Sequence, residues 1–264
     1  MEGIDEAAHA RETLERYSGS LFTAFQENLL LTNFPYYVDQ FAKERGVEVF
    51  QGAMFTVAHD IEDKVTMLDF KIGSPAAALV VDLCSFLPIK SALLLGMCGG
   101  LRRRYRVGDY LLPIASIRAE GTSACYFPSD VPALSNFLMQ KATAEVMEKR
   151  QQPYHIGITY TTNLRFWEGN PSFIEQLKQT RAQAIELECA TLFTASYKRK
   201  LTLGALLLIS DLPLDAASIK TKASSEHVQA TYMKEHIALG REVIHYATHL
   251  QKQKIKGAYH RNRL

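Results

Sequence analysis

Apolar and polar positions alternate along the chain in blocks that predict strands and helices in turn. Runs of apolar residues of strand length lie at 53–59, 64–70, 91–97, 109–119, 154–161 and 201–210. Apolar residues at helical spacing predict helices over 34–45, 74–86, 135–149, 171–180, 188–200 and about 225–250. This alternation predicts an α/β fold, with helices on both faces of a mixed or mainly parallel sheet.

No repeat, low-complexity tract or flexible linker divides the 264 residues. A single α/β domain of this length buries a sizeable core. We therefore expect one domain over 1–264, with a helical N-terminal extension over about 1–30 and a basic tail over about 252–264.

Composition and charge exclude several classes of protein. The formal net charge of +2 gives no general attraction to nucleic acid or membranes, and the arginine run at 102–106 is interpreted as a solvated loop. The four cysteines form no C-x-x-C pair, and the eight histidines have no metal-ligand spacing. With an acidic N-terminus and no apolar segment of about 18 residues, a cytoplasmic protein is expected.

Four short segments combine a strand end or a turn with polar or glycine residues. Two are KIGSPAA (71–77), before a helix, and GMCGG (96–100), after a strand. The others are AIELECATLF (184–193), with Glu186 and Glu188, and LLLISDLPLD (206–215), with Asp211. Each has a purely structural interpretation as a helix cap, turn or strand end. Each also suits a ligand at the carboxyl edge of a sheet.

The order of these four segments resembles the nucleoside phosphorylase and nucleosidase superfamily over roughly residues 30–250. Within it, TNFPYYVDQF, GMCGGLR with VGDYLL, TYTTNLRFWE and SDLPL are similar to the AMP nucleosidase family. The resemblance implies a three-layer α/β/α fold with a partly barrel-like central sheet. It also implies that the N-terminal regulatory domain of longer members is absent from this sequence.

The implied reaction is hydrolysis of AMP to adenine and ribose 5-phosphate, without a cofactor or metal. Breaking an N-glycosidic bond leaves positive charge on the sugar and negative charge on the purine. By similarity, Asp211 donates a proton to purine N7 and Glu188 holds the ribose hydroxyls. Since an isolated aspartate has a pKa of about 3.9, Asp211 needs burial, or a purine that becomes basic during cleavage.

The resemblance also implies the rest of the substrate site. The purine is expected against the turn at Cys98 and Gly99 and under Phe166, while Trp167 is assigned to the core. Candidates along the base and sugar are Ile185 and Leu187, with Ser74, Thr162 and the less certain Glu186 as further substrate-binding residues. Candidates for the 5′-phosphate are Arg165, Arg118, and Lys220 or Lys222, with Asn33 and Tyr37 reaching across from a neighbouring subunit of a homo-hexamer built from dimers.

Departures from the phosphorylase pattern decide the expected nucleophile. Leu94 and Met97 stand where the phosphorylases carry an arginine and a hydroxyl residue for phosphate, and Gln51 stands at a second arginine position. Because an apolar lining is a poor anion site, water is the expected nucleophile. The alternatives are a purine nucleoside phosphorylase, a methylthioadenosine-type nucleosidase, and a catalytically silent purine-nucleotide sensor.

Overall fold

The structure is a computed structural model that describes residues 5–215 and 218–261, the last eight of them only as part of a helix. Its strands are β1 (Asn28–Thr32), β2 (Val49–Gln51), β3 (Thr56–Asp60), β4 (Val65–Asp69), β5 (Ser91–Gly100), β6 (Tyr110–Ala119), β7 (Ala133–Leu134), β8 (Tyr154–Thr162), β9 (Ala184–Glu186) and β10 (Leu203–Asp211). Its α-helices are α1 (Glu6–Ser18), α2 (Pro35–Arg45), α3 (Ser74–Cys84), α4 (Phe137–Lys149), α5 (Pro171–Gln179), α6 (Cys189–Arg199) and α7 (Lys222–Arg261).

The strands form one mixed sheet that is partly closed. Its order is β10-β6-β8-β9-β5-β1-β4-β3-β2, and β7 pairs with β6. Because β10 also pairs with β5, the strands β5, β10, β6, β8 and β9 close into a five-stranded barrel. The remaining strands extend the sheet from β5. The predicted mixed, partly barrel-like sheet is confirmed.

Two hydrophobic clusters lie on opposite faces of this sheet. One packs apolar residues of α1, α3 and α6 against the strands, including Leu14, Val80 and Phe193. The other packs α2, α4 and α7 against the strands, including Phe41 and Ile237. Burial of these side chains is the main favourable contribution to such a fold. The arrangement confirms the predicted α/β/α layering.

The glycines of the GMCGG segment lie within β5 and form no turn, so the predicted turn is wrong. A Cβ on Gly96 would come within 3.0 Å of Leu207 Cδ2, and one on Gly99 within 2.8 Å of Pro213 Cγ. The structural reason for these glycines is therefore close packing of β5 against β10 and the loop that follows β10.

The periodic elements lie close to their predicted positions, whereas short strands and chain ends do not. Four short strands, β1, β2, β7 and β9, were not predicted, and β1 begins inside the expected N-terminal extension. Helix α7 continues past the predicted end near 250 to Arg261. Residues 1–4 and 262–264, and the side chains of the basic tail from 254 onward, lie outside the described residues.

None of the described helices has the combination of length and apolar composition that a membrane span requires. The four cysteines are free thiols.

Candidate active site

A cavity opens where three parallel neighbours, β1, β5 and β10, reach their carboxyl ends. This edge is where open α/β sheets bind ligands. The strands deliver Asn33 directly after β1, Gly99 at the end of β5 and Asp211 at the end of β10. The predicted site residues that line the cavity are Asn33, Cys98, Gly99, Thr162, Arg165, Ile185, Glu186, Leu187, Glu188 and Asp211. Asn33 lines the cavity of its own chain, whereas the prediction had it reach across from a neighbouring subunit.

Asp211 is a partly buried carboxyl group with a hydroxyl partner. Ser210 Oγ donates to Asp211 Oδ1 over 2.6 Å, and Lys220 Nζ lies 3.4 Å from Ser210 Oγ. Burial raises the pKa of Asp211, while the Ser210 hydrogen bond and the charges of Lys220 and Arg165 oppose that shift. The net direction favours an acid that keeps its proton longer than a free aspartate.

Glu188 lines the same cavity and is 3% exposed. Its Oε1 accepts a 2.8 Å hydrogen bond from the Gly73 amide. Burial, together with the neighbouring Glu186, raises the pKa of Glu188 to about 8. Burial and the neighbouring carboxyl group therefore favour the protonated form of Glu188.

The KIGS loop before α3 fixes the Gly73 amide. Gly73 has φ +100° and stands at the N-cap, where a side chain would be strained. Ser74, predicted to contact substrate, is fully buried outside the cavity lining and donates to the Leu187 carbonyl over 2.7 Å. Asp69 accepts the Lys71 amide over 2.9 Å. These contacts join the loop to the segment that carries Glu188.

Glu186 has protein partners for both carboxylate oxygens. Its Oε2 accepts the amides of Glu188 at 2.7 Å and Cys189 at 2.6 Å, at the start of α6. Its Oε1 accepts the hydroxyl of Thr161. Burial raises the pKa of Glu186, and these hydrogen bonds oppose the shift. Although Glu186 lines the cavity, its contacts fit the structural interpretation of a helix-start carboxylate.

Two predicted phosphate ligands lie away from the cavity, which corrects their assignment. The Tyr37 ring is 0% exposed in the core, and its hydroxyl lies 2.9 Å from His236 Nδ1. The Lys222 side chain is 91% exposed and lies 3.9 Å from Glu226. Lys220, two residues earlier, is the lysine that lines the cavity.

Arg118 and Phe166 also lie outside the cavity lining. Arg118 donates to the carbonyls of Phe127 at 2.7 Å and Val131 at 2.6 Å, so its guanidinium holds a loop together. Phe166 is 96% exposed and covers nothing in this structure. Its neighbour Trp167 packs against Phe173, as the predicted core position requires, and also lines the cavity.

Sequence reasoning missed several lining residues that flank the quoted motifs. Ser210 and Pro213 adjoin Asp211, Ile72 lies in the KIGS loop, and Phe34 follows Asn33. Their position beside predicted site residues was the signal in the sequence that could have identified them. The other missed lining residues are Leu164 and Glu168, while Met97, noted in the sequence as a departure from the phosphorylase pattern, also lines the cavity.

The positive charge of the cavity lies near Asp211. Arg165 and Lys220 both act on the pKa of Asp211, and Lys220 Nζ lies 4.0 Å from Met97 Sδ. Arg165 is partly exposed and lies 3.6 Å from Glu168. In the described ranges, no group of three His, Cys, Asp or Glu side chains is placed to hold a metal ion.

Comparison with known proteins shows the family to which the chain belongs. The profile of the phosphorylase superfamily matches residues 29–245. The chain is 25% identical to AMP nucleosidase from Escherichia coli K12 over 86% of its length, and it spans 56% of that enzyme. It is 30% identical to uridine phosphorylase from Thermococcus kodakarensis over 47% of its length, which is 49% of that protein.

Solved structures give the same result for the fold. The crystal structure of AMP nucleosidase from Bacteroides thetaiotaomicron superposes with a TM-score of 0.81 at 33% identity, covering 94% of this chain and 99% of that one. Uridine phosphorylase from Vibrio fischeri superposes with a TM-score of 0.77 at 14% identity, covering 89% of this chain and 98% of that one. The second likeness concerns the fold alone.

Proposed function

Because the chain belongs to the phosphorylase superfamily, we propose that it is an enzyme that hydrolyses the N-glycosidic bond of AMP. The products are adenine and ribose 5-phosphate. The observation that carries the proposal is that Asp211 and Glu188, more than twenty residues apart in sequence, line one cavity. The similarity of the chain to AMP nucleosidases supports the choice of substrate.

Asp211 is assigned the role of general acid at the purine. Its raised pKa and its Ser210 partner suit a group that donates a proton to N7 while the bond from C1′ to N9 breaks. Cys98 and Gly99 lie beside it in the register of β5 and β10, and they offer backbone against the purine.

Glu188 is assigned two roles: it binds the ribose, and it stabilises the positive charge that develops on the sugar. Hydroxyl groups of a bound sugar donate to the carboxylate and favour its ionised form over the protonated form. An ionised Glu188 then stabilises the oxocarbenium-like sugar in the transition state. The Gly73 amide keeps the carboxylate in place.

The lining favours water over phosphate as the nucleophile. Leu94 is buried in a hydrophobic cluster outside the cavity lining, and Gln51 is exposed on β2. Met97 lines the cavity with a thioether, which is a poor ligand for an anion. Arg165, partly exposed in the lining, is the assigned ligand for the 5′-phosphate of AMP.

Phosphorolysis is the second candidate, and one observation favours it. The Lys220 ammonium lies 4.0 Å from Met97 Sδ, at the position where the phosphorylases carry a phosphate-binding hydroxyl residue. A cation there offers a place for inorganic phosphate. The two candidates differ in whether turnover needs phosphate.

We also infer assembly into a homo-hexamer built from dimers. Exposed apolar side chains at the cavity, Ile72 at 57% and Leu164 at 50%, support coverage by a second copy of the chain. Light scattering coupled to size exclusion should give six times the chain mass of 29.7 kDa. A monomer at micromolar concentration would contradict it.

The test is adenine release from AMP in phosphate-free buffer, with both products resolved by chromatography. Hydrolysis predicts adenine and ribose 5-phosphate, with no acceleration when phosphate is added. Phosphorolysis predicts dependence on phosphate and a sugar with a second phosphate at C1. Adenosine is the matched substrate control. Equal turnover of adenosine and AMP would contradict the nucleotide preference.

A further inference from the structure

Asn33 carries a buried polar atom that the protein leaves without a partner. Among the described residues, three buried side-chain atoms lack a hydrogen-bond partner: Asn33 Oδ1, Tyr105 Oη and Ser135 Oγ. Of these three residues, Asn33 lines the active-site cavity. A buried acceptor without a donor costs free energy, and such groups are normally paired in the working state. The missing donor is therefore expected from a molecule in the cavity.

The orientation of the Asn33 amide follows from Glu188. The Asn33 side chain lowers the pKa of Glu188, which is the effect of an amide N–H on an ionised carboxylate, because only the amide nitrogen can donate to it. The nitrogen therefore faces Glu188, and the oxygen remains for another partner. Asn33 follows β1, whose five residues are all buried, so the position of its backbone is well fixed.

The chemistry of Asn33 and Glu188 indicates which kind of donor binds beside them. Glu188 and Asn33 both line the cavity, and there an ionised Glu188 and Asn33 Oδ1 are acceptors. The hydroxyls of a ribose are donors, whereas phosphate oxygens are acceptors and pair poorly here. The cations that suit phosphate, Arg165 and Lys220, act on Asp211 instead.

We propose that Asn33 is a specificity-determining residue whose Oδ1 accepts a hydrogen bond from one hydroxyl of the ribose. The site then prefers ribonucleotides to the corresponding deoxyribonucleotide, because the analogue leaves a buried acceptor unpaired. This inference rests on the proposed function, since it requires a nucleotide in the cavity.

The experiment compares kcat/KM for AMP, 2′-deoxy-AMP and 3′-deoxy-AMP in the wild type and in Asn33→Leu. In the wild type, loss of the paired hydroxyl should lower kcat/KM about 10- to 100-fold. In Asn33→Leu, that penalty should shrink about tenfold, because the acceptor is gone. Ser135→Ala is the matched control, since it removes another unpaired buried atom away from the cavity and should leave the ratios unchanged.

Each outcome separates this inference from the proposed function. If the wild type cleaves none of the three nucleotides, the proposed function fails. If the wild type cleaves AMP and Asn33→Leu keeps the same ratios, only the role of Asn33 is overturned. An equal loss for all three substrates would also overturn it, because Asn33 would then act on the attacking water. Thermal unfolding checks each variant, and Asn33→Ala replaces Asn33→Leu if the latter fails to fold.

Discussion

Two sets of buried polar side chains in this protein, one in the core and one at the cavity, differ in how far the protein supplies their hydrogen-bond partners. In the core, the Tyr37 hydroxyl meets His236 Nδ1 at 2.9 Å, and His236 Nε2 meets the Leu206 carbonyl at 3.0 Å. In the cavity, Asn33 Oδ1 has no partner, and Glu188 carries a pKa raised to about 8. The first set has all its hydrogen-bond partners within the protein, whereas the second set leaves one acceptor atom without a protein partner.

The two sets also differ in how far hydrogen bonds compensate the burial of their polar atoms. Burial lowers the pKa of His236 to about 4, so the ring is neutral and bridges one donor and one acceptor. Such a chain orders α2, α7 and β10 relative to one another. Glu188 and Asp211 keep raised pKa values because the protein compensates their burial only in part. Incomplete pairing at a cavity therefore distinguishes the site from the core.

The largest effect should come from Asp211→Asn. Loss of the proposed general acid should lower kcat for AMP about 100- to 10,000-fold, because the purine then leaves without a proton. Steady-state adenine release measures it, with the exposed Asp130→Asn as the matched control. A variant that kept wild-type kcat would show that Asp211 is not the general acid, and that a raised pKa at the cavity does not mark a catalytic group.

His236→Leu should act on stability instead. It leaves the buried Tyr37 hydroxyl without its partner and removes the His236 hydrogen bond to the Leu206 carbonyl, so the free energy of unfolding should fall by about 2–4 kcal/mol. Urea denaturation measures the loss. The rate per folded molecule should stay near wild type at a temperature where the variant is folded, and a lost rate with unchanged stability would place this group in the site.

The pH dependence of stability should sharpen the comparison at Glu188. Its folded pKa of about 8 lies above its ordinary value of 4.5, so the folded state binds the extra proton between these values. The free energy of unfolding should therefore fall as pH rises from about 4.5 to 8, by up to about 1.4 kcal/mol per unit.

Glu188→Gln should remove this part of the pH dependence, as urea denaturation at several pH values would test. The difference between the wild-type and variant curves isolates Glu188 from the other titrating groups. Parallel curves for the two proteins would mean that the pKa of Glu188 is not raised in the folded protein.

The smallest effect is expected for Tyr37→Phe. It leaves His236 Nδ1 without a donor and should cost about 1–2 kcal/mol of unfolding free energy. KM for AMP should not change, because Tyr37 is fully buried outside the cavity lining. A KM that rose tenfold would restore Tyr37 as a phosphate ligand.

The periodic parts of the fold could be predicted from sequence, and the contacts between distant segments could not. The helix at α2 and the strand at β10 follow from apolar spacing and from breakers such as Gly46 and Pro213. The face of α2 that carries Tyr37 could not be assigned, because its partner His236 lies 199 residues away in sequence. Short strands such as β9 have too few residues for a period.

The site was partly predictable for the same reason. Asp211, Glu188 and Asn33 end or follow buried elements, so a sheet-edge position could be inferred. Loop side chains have no such guide. The choice between Lys220 and Lys222, and the exposure of Phe166, depend on loop conformation that local sequence does not specify. Resemblance supplied roles for these residues without supplying their positions.

The strand register around Gly99 determines how far apart the strands on either side of β5 lie at the cavity. Gly99 pairs with Asp211 on one side and with Ile185, three residues before Glu188, on the other. The strand β10, which ends at Asp211, and the strand β9, which ends two residues before Glu188, are therefore separated by β5, with about 10 Å between their axes. The backbone hydrogen bonds of β5 to both strands therefore fix the spacing of the elements that lead to Asp211 and Glu188. Changes in loop length can alter which ligand substituents fit the cavity, while the spacing of β9 and β10 stays constant.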